Sequence, residues 1–381
     1  MADDLPFQAT IDDATGPDHI GLAYEAWSRR AATDPERADG LERLSRIPVS
    51  ADYGAGCYER WLESLCQDGS RAAQMTLASR LWIGSGPSSA SGGGLTLHHT
   101  WGVPLIPGRA LKGLLAHYLA ATYGPSVPPA DPEREEEQAR RPYQGITWVG
   151  EQILHGPGVV HRALFGAPPV RPDRDLSAAS GATQGCVLFQ DALYVPGSAV
   201  GDRPFVREVA TVHQGDYYGS AGQTLPNDYD RPQVVESLSV RPGTRFLLAL
   251  SGPSEWTAFA LQHLKVALQE WGVGGKTASG YGLAEPTGWR DIIDPAQTAI
   301  RRHPVVVSFE AWLHRHQSLP DPEKLAAISQ EWVPTLRQLP LEVRRYAVGQ
   351  AGQAIHAPRL RRMLLARERG RIQGAKRRVD R

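Results

Sequence analysis

The feature that most constrains this chain is a glycine-rich segment, GVGGKTASGYG, at residues 272–282. Its glycines are Gly272, Gly274, Gly275, Gly280 and Gly282. Because glycine has no Cβ, such a segment can adopt positive φ values and approach another stretch of backbone closely. An amphipathic stretch from Ser254 to Trp271 precedes it, with apolar residues recurring every three or four positions. We therefore predict a helix, then a tight glycine-rich loop, then a short final strand.

The loop does not match the common phosphate-binding signatures. A P-loop requires G-x-x-x-x-G-K-[ST] between a strand and a helix. Here Glu270 stands at the first glycine position, and the segment follows a helix. The dinucleotide-binding motif G-x-G-x-x-G is not matched either, because Thr277 occupies the position of its last glycine. Two interpretations stay open: an anion-binding nest of exposed N–H groups with Lys276 as a point charge, and a plain turn with Gly272 as C-cap.

Hydrophobic patterning upstream of the loop predicts five further elements. Alternation at Met75, Leu77 and Leu81 predicts a half-buried strand beginning near Gln74, and a helix follows from Arg109 to Thr122. The remaining elements are a strand over 187–194 and two strands, VVESLSV and TRFLLALSG, around a turn at Pro242 and Gly243. The resulting order is β-α-β-β-α-β, that of an α+β, ferredoxin-like (RRM-like) fold. The four-stranded sheet of that fold is a common platform for RNA.

Three regions follow from this pattern. Residues 1–66 are predicted to form a helical extension, 67–290 a ferredoxin-like domain with insertions at 126–147 and 201–233, and 291–381 a second helical extension. The last region ends in a basic tail that contains ten Lys and Arg residues from Arg359 to Arg381. Charge runs of this kind are usually solvated, and contact with RNA or an acidic partner is the second interpretation.

Composition limits the possible functions. Lys plus Arg (41) equals Asp plus Glu (41), whereas a free-standing nucleic-acid binder usually carries a basic excess. Any RNA contact must therefore come from local basic patches or from a surface that partner subunits complete. The three cysteines, Cys57, Cys66 and Cys186, lack C-x-x-C spacing, and the acidic N-terminus has no apolar core of a signal peptide. No apolar run approaches the roughly 18 residues of a membrane span, and we expect a cytoplasmic protein. The cysteine spacing and the lack of a metal-binding motif predict a protein without a metal or another cofactor.

Several motifs together resemble the RAMP superfamily of CRISPR proteins. The resemblance rests on SRLWIGSGPSSASGGGLTLHHTWGVPLIPGRALKGLLAHY, on GCVLFQDALYVP and on WGVGGKTASGYG, and it covers roughly residues 60–287. These segments are most similar to the sixth RAMP subunits of type III-B (Cmr) effectors. Members of the superfamily share a ferredoxin-like fold with a glycine-rich loop between the last helix and the last strand.

The resemblance implies an RNA-holding role. Such a subunit would bind the 3′ part of the CRISPR RNA (crRNA) and its duplex with target RNA, beside other RAMP backbone subunits and the small helical subunit. Protein contacts in guided effectors read backbone shape while base pairing reads sequence. The insertion at 205–233 would then form a protruding thumb. The implied RNA-binding residues are Arg109, Lys112, Gly272, Gly274, Gly275, Lys276, Thr277, Ser279, Gly280, Tyr281 and Gly282.

The sequence favours a binding role over catalysis, with two alternatives. Target-RNA cleavage in related backbones uses an aspartate in the loop after the first strand, and GSGPSSASGGG contains none. Some relatives process RNA with histidine, so His98 or His99 with Lys112 and Tyr118 could form a metal-independent endoribonuclease. The other alternative is a structural adaptor that recruits a partner protein. Asp228 and Asp230 are interpreted as turn residues, and no catalytic metal motif is found.

Overall fold

The computed structural model describes residues 19–21, 23–24, 34–67, 70–84, 95–125, 141–150, 152–169, 181–212, 215–220, 222–227, 229, 233–294 and 299–360. Internal contacts divide the chain into two units, Met1–Ile293 and Asp294–Arg381. The predicted division at 66 and 290 stays a prediction. In the described residues, no helix is both long enough and apolar enough to cross a membrane.

The first unit mixes helices with antiparallel strands. Its strands are β1 (Arg71–Thr76), β2 (Leu105–Ile106), β3 (Thr147–Val149), β4 (Gln152–His155), β5 (Gly166–Ala167), β6 (Thr183–Gln184), β7 (Leu188–Phe189), β8 (Ala192–Tyr194), β9 (Phe205–Val212), β10 (Gln233–Val240), β11 (Arg245–Ser251) and β12 (Arg290–Ile293). Its α-helices are α1 (Asp34–Ser45), α2 (Glu59–Gln67), α3 (Gly108–Tyr123), α4 (Val159–Phe165), α5 (Gly215–Gly219) and α6 (Ser254–Glu270). Short helical turns are Gly54–Tyr58, Arg141–Tyr143, Val200–Asp202 and Thr277–Ser279.

The central sheet has the order β12-β1-β11-β8-β2, and β7 also pairs with β11. All of these neighbours are antiparallel. In chain order the four core strands are β1, β8, β11 and β12, and α3 and α6 are the two connecting helices. The first of these strands, β1, lies between the third, β11, and the fourth, β12. The α+β class is confirmed, and the strand order is compatible with a ferredoxin-like core.

Both faces of the central sheet are covered. On β11, Phe246, Leu248 and Leu250 belong to a cluster with the apolar stripes of α3 and α6. The alternate residues of β11 belong to a second cluster, which includes Tyr53 and Leu65. This two-sided burial explains the uninterrupted apolar run FLLAL, since a strand with one wet face would alternate. Each fully buried leucine stabilises the fold by about 1.5–3 kcal/mol.

Helices α3 and α6 pack antiparallel on one face of the sheet. The Tyr118 hydroxyl donates to Glu270 Oε2 at 3.2 Å, and the rings of Tyr118 and Trp271 are 5.3 Å apart. One turn later on α3, Tyr123 meets His263, with ring centroids again 5.3 Å apart. The N-terminus of α3 therefore lies at the same end of the pair as the C-terminus of α6.

Strand boundaries differ from the sequence prediction in three places. The first strand begins and ends earlier than expected, and Leu77 and Leu81 form isolated bridges beyond it. The final strand, β12, begins at Arg290, whereas Ala284 forms only a bridge to Leu77. The insertion at 201–233 is not simply a polar loop, because β9 lies in it and pairs with β10 in a separate two-stranded sheet, here called the ribbon. The strand VVESLSV thus belongs to the ribbon and not to the central sheet.

Some predicted segments lie outside the described residues. These are residues 1–18, 22 and 25–33 of the predicted N-terminal helical extension, the first part of the insertion at 126–147 (126–140), the glycine and serine loop at 85–94, Asp228 and Asp230, and the tail beyond residue 360. The described part of the first insertion, residues 141–147, contains the short turn Arg141–Tyr143, and the hairpin of β3 and β4 begins at its last residue, Thr147.

The second unit is helical. It contains α7 (Pro304–Arg315), α8 (Asp321–Ala327), α9 (Val333–Leu336), α10 (Leu341–Ala354) and the turn Ile328–Trp332. Its own apolar cluster includes Phe309, Trp312 and Ala347. Lys324 is buried within it, and its ammonium donates to the carbonyls of Gln317 and Ala354 at 3.2 and 3.1 Å. These two bonds satisfy a charge that burial would otherwise make costly.

Candidate nucleic-acid interface

The glycine-rich loop folds back onto the segment that follows β1. The amide of Gly275 donates to the carbonyl of Trp82 at 2.7 Å, and the amide of Gly282 donates to that of Arg80 at 2.8 Å. Gly274 and Gly282 both have positive φ, 94° and 72°. A Cβ at either position would overlap a carbonyl oxygen, that of Trp82 or that of Val273 respectively. The glycines are therefore needed for close backbone approach, as the sequence predicts.

Most amides of the loop are used inside the protein. Besides the two just described, the amides of Gly272, Val273, Ser279, Gly280 and Tyr281 donate to backbone carbonyls. Gly272, with φ of 73°, follows α6 as a C-cap glycine would. Within the described residues, the amides of Gly274, Lys276, Thr277 and Ala278 have no acceptor. The predicted anion nest is thereby reduced to the three of these N–H groups that are consecutive, those of residues 276–278.

Lys276 is held by aromatic rings. Its backbone is left-handed, with φ of 58°, and its side-chain nitrogen lies 3.7 Å from the centroid of the Trp82 ring and 5.8 Å from that of Tyr281. Burial lowers the pKa of Lys276, and the charge of Glu208 opposes that shift. A cation over an aromatic face gains about 0.5–2 kcal/mol, which restricts where a flexible lysine can point. The residue is nevertheless exposed as a whole, so its charge is open to an anion.

A buried carboxylate joins the loop to the ribbon. Glu208 on β9 accepts hydrogen bonds from the Tyr281 hydroxyl at 2.8 Å, from Arg80 Nη1 at 2.7 Å and from the Ser239 hydroxyl at 3.0 Å. Burial acts to raise the pKa of Glu208, but these bonds and the charge of Arg80 outweigh it and hold the pKa below its ordinary value. Burial raises the pKa of Tyr281, and the carboxylate of Glu208 raises it further. Glu208 therefore remains a carboxylate and fixes two groups beside Lys276.

Arg109 and Lys112 lie in the first turn of α3. The turn is capped from outside, since the Gly108 amide donates to Asp191 Oδ1 at 2.7 Å. Arg109 is exposed and Lys112 half-buried, and within the described residues neither has a hydrogen-bond or ion-pair partner. They lie at the same end of the helix pair as the glycine-rich loop, but no hydrogen bond or ion pair among the described residues joins their side chains to it.

The candidate histidines are not joined to the groups proposed to act with them. His98 is half-buried, and burial, opposed by the charge of Asp191, lowers its pKa. Its Nδ1 has no partner in the described residues. The Tyr118 hydroxyl donates to Glu270 on α6, away from His98. His99 contributes a backbone carbonyl 3.0 Å from His19 Nε2.

Three residues of this site were not identified from the sequence: Arg80, Trp82 and Glu208. The first two lie in SRLWIG, and strand alternation gives no reason to single them out. Glu208 lies in a segment that was interpreted as a polar loop. Its position in FVREVATV, a run rich in β-branched residues, is the signal that could have placed it on a strand. In the described residues, no cluster of His, Cys, Asp and Glu could hold a metal ion.

Comparisons with known proteins agree on one family. The model of the RAMP superfamily matches residues 74–285. The CRISPR system Cmr subunit Cmr6 of Pyrococcus furiosus is 30% identical over 266 residues, which are 65% of this chain and 77% of that protein. Among solved structures, a cryo-EM structure of the type III-B Cmr-beta bound to cognate target RNA has a TM-score of 0.44 at 17% identity, covering 67% of this chain and 72% of the other. The crystal structure of Cmr6 from Pyrococcus furiosus has a TM-score of 0.30 at 22% identity, covering 58% of this chain and 98% of the other.

Proposed function

The chain belongs to the RAMP superfamily, and from that premise we propose that it is a non-catalytic, RNA-binding backbone subunit of a type III-B CRISPR effector. It holds the 3′ part of the crRNA and the duplex that this part forms with target RNA. Its partners are these RNAs, the other RAMP backbone subunits and the small helical subunit, in the cytoplasm. The observation that carries the proposal is the exposed Lys276, held over Trp82 on a loop where three consecutive amides, those of residues 276–278, have no acceptor among the described residues.

The chemistry of the loop suits an RNA backbone. A phosphate offers oxygen acceptors and negative charge, and Lys276 with the neighbouring amides offers donors and positive charge. On the loop itself, Thr277 and Ser279 carry only hydroxyls, and the acid beside it, Glu208, is buried and bound by Tyr281, Arg80 and Ser239, so it is not free to read a base edge. Binding of this kind positions a nucleic acid without reading its sequence. Arg109 and Lys112, at the same end of the helix pair, extend the basic surface.

One observation favours a second candidate, the endoribonuclease. His98 has an unpartnered Nδ1 within the described residues, and burial lowers its pKa, which keeps the ring neutral and able to accept a proton at neutral pH. Against it, no hydrogen bond brings Lys112 or Tyr118 to His98 in the described part of the chain. Cleavage of repeat RNA that His98→Ala abolishes would replace the binding proposal with this one.

The proposal is tested by the salt dependence of RNA binding to the full chain. Lys276→Ala removes one phosphate contact, so the slope of log K against log salt is expected to fall in magnitude by roughly 0.7, by the same amount for two unrelated single-stranded RNAs. Fluorescence anisotropy with labelled RNA over a salt series measures it.

Lys265→Ala is the matched control. Lys265 also lies over a tryptophan, with its nitrogen 5.4 Å from the Trp289 ring centroid, and it pairs with Asp291 at 2.7 Å, but it is on α6 outside the loop. The salt slope of RNA binding by Lys265→Ala is expected to equal that of the wild type. An unchanged slope for Lys276→Ala, or a loss seen with only one RNA sequence, contradicts backbone binding by this loop.

A further inference from the structure

Arg80 has a free edge beside Lys276. It follows β1, its side chain is 42% exposed, and its Nη1 donates to Glu208, whose side chain is only 5% exposed. The other guanidinium nitrogens, Nε and Nη2, have no acceptor within the described residues. A guanidinium presents its donors in a planar fork, so one edge can bind a carboxylate while another binds a second anion.

Arg80 and Lys276 flank the same tyrosine. Tyr281 donates its hydroxyl to the carboxylate that Arg80 binds, and its ring centroid is 5.8 Å from the Lys276 nitrogen. The carbonyl of Arg80 also accepts from the Gly282 amide, so the two chain segments are joined at this point. Arg80 is paired with the buried carboxylate of Glu208, and Lys276 feels the charge of that carboxylate without being paired to it, so two cations stand against one anion.

We propose that Arg80 and Lys276 form a two-cation clamp that binds neighbouring phosphates of single-stranded RNA, with Glu208 as the positioning residue for Arg80. This inference rests on the proposed function and adds a second binding residue to it. Glu208 fixes one edge of the guanidinium, and the Trp82 ring restricts the ammonium. Because both side chains are ordered before RNA arrives, less conformational entropy is lost on binding.

The test compares variants in a Glu208→Gln background. Arg80→Ala alone would leave a buried carboxylate without its cation, which can unfold a protein. Glutamine removes that charge and keeps an oxygen acceptor for Tyr281. Relative to E208Q, the double variant R80A/E208Q is expected to lower the salt slope of RNA binding by roughly 0.7, and addition of K276A is expected to lower it by roughly 0.7 more.

Two controls separate charge from structure. R80K/E208Q replaces the arginine with another cation, so its salt slope is expected to equal that of E208Q. A purely structural role of Arg80 would give no reason for lysine to preserve the slope. R46A/E42Q removes another Arg–Glu pair, 3.0 Å apart at the C-terminal end of α1, with an arginine side chain that is 69% exposed, and is expected to leave the slope at the wild-type value. Inorganic phosphate at matched ionic strength is expected not to displace the RNA. The RNA places linked, neighbouring phosphates on both cations, whereas each free phosphate ion binds separately.

The outcomes distinguish the two proposals. If R80A/E208Q keeps the slope of E208Q while K276A lowers it, the clamp is wrong and the loop proposal stands. If K276A leaves the slope unchanged, the loop proposal itself fails. Displacement of RNA by low millimolar phosphate would show a site for free anions and would overturn the clamp as an RNA contact.

Discussion

Two glycines of the loop share a backbone conformation but differ in their surroundings. Gly280 has φ of 83° and open space where a Cβ would lie, whereas Gly282 has φ of 72° and the Val273 carbonyl in that place. A side chain at Gly280 would meet only the left-handed penalty of roughly 1–2 kcal/mol. At Gly282 it would in addition push apart two hydrogen-bonded strands of backbone.

We expect Gly282→Ala to lower the free energy of unfolding by about 2 kcal/mol more than Gly280→Ala, because only the first change forces the backbone to move. Urea unfolding followed by circular dichroism measures both values. Equal losses would mean that the loop can relax so that residue 282 moves away from the Val273 carbonyl, contrary to the close approach seen here.

His161 on α4 is a buried histidine without a partner for Nδ1 in the described residues. Its ring packs on Phe165, with centroids 4.9 Å apart. Burial, helped by the positive charges of His117 and Lys112, lowers the pKa of His161 to about 4. The folded protein therefore holds this ring neutral at a pH where an unfolded chain would protonate it.

The stability of the wild type is accordingly expected to fall as the pH drops below about 6.5, since the unfolded chain then binds the additional proton. From pH 7 to pH 5 this residue should cost about 2 kcal/mol, and His161→Phe should remove that part of the loss. Urea titrations of both proteins at the two pH values measure the difference. Parallel losses in the two proteins would assign the pH dependence to other groups.

At the scale of elements, the ribbon is held from both faces. Leu238 on β10 packs into a cluster with Leu41 and Leu44 of α1. Ser239, the next residue of β10, faces the other side of the ribbon together with Glu208. Tyr281 joins Glu208 to the glycine-rich loop. The base of the ribbon is thus anchored, whereas Val209 and Val234 farther along it are exposed.

Tyr281→Phe should loosen the ribbon without opening the central sheet. A hydrogen bond to a carboxylate contributes about 1.5–3 kcal/mol, so amide hydrogen exchange in β9 and β10 should become roughly tenfold faster or more, while β1 and β11 keep their protection. Mass spectrometry of exchanged peptides resolves these segments.

Tyr346→Phe provides the control, because its hydroxyl makes the same kind of bond to Glu310 in the second unit, at 3.0 Å. It should change exchange in that unit alone. Faster exchange in β1 after Tyr281→Phe would show that the glycine-rich loop supports the whole sheet and not the ribbon in particular.

At the scale of the whole molecule, local patterns predicted the helices well. The predicted helix 109–122 is Gly108–Tyr123, and the predicted helix 254–271 is Ser254–Glu270. Each carries an apolar stripe of helical period, and a break by proline or glycine marks its start or end. The α+β class followed from the order of such elements.

Pairing between distant segments could not be predicted in the same way. The strand VVESLSV was identified, but its partner β9 lies more than twenty residues earlier, and no short turn links the two. The cluster of Arg80, Glu208 and Tyr281 draws on three such distant segments. Local periodicity carries no information about which strand pairs with which, so these contacts required the structure.

The balance of charge also acts at this scale. With 41 basic and 41 acidic residues, the chain has no overall field to attract RNA. Binding by the isolated protein must therefore depend on a few positions, which is why single substitutions in the loop are expected to change the salt slope measurably.

The position of β1 inside the sheet has a consequence for synthesis on the ribosome. Its two partners, β11 and β12, begin at residues 245 and 290, long after Thr76 has been made. At roughly 5–20 residues per second, this strand waits on the order of ten seconds or more with both edges unpaired. Unpaired strand edges invite association with other chains, because their N–H and C=O groups are open to pairing. During that interval the nascent protein has to rely on the ribosome surface, on chaperones or on its own N-terminal helices to remain unassociated.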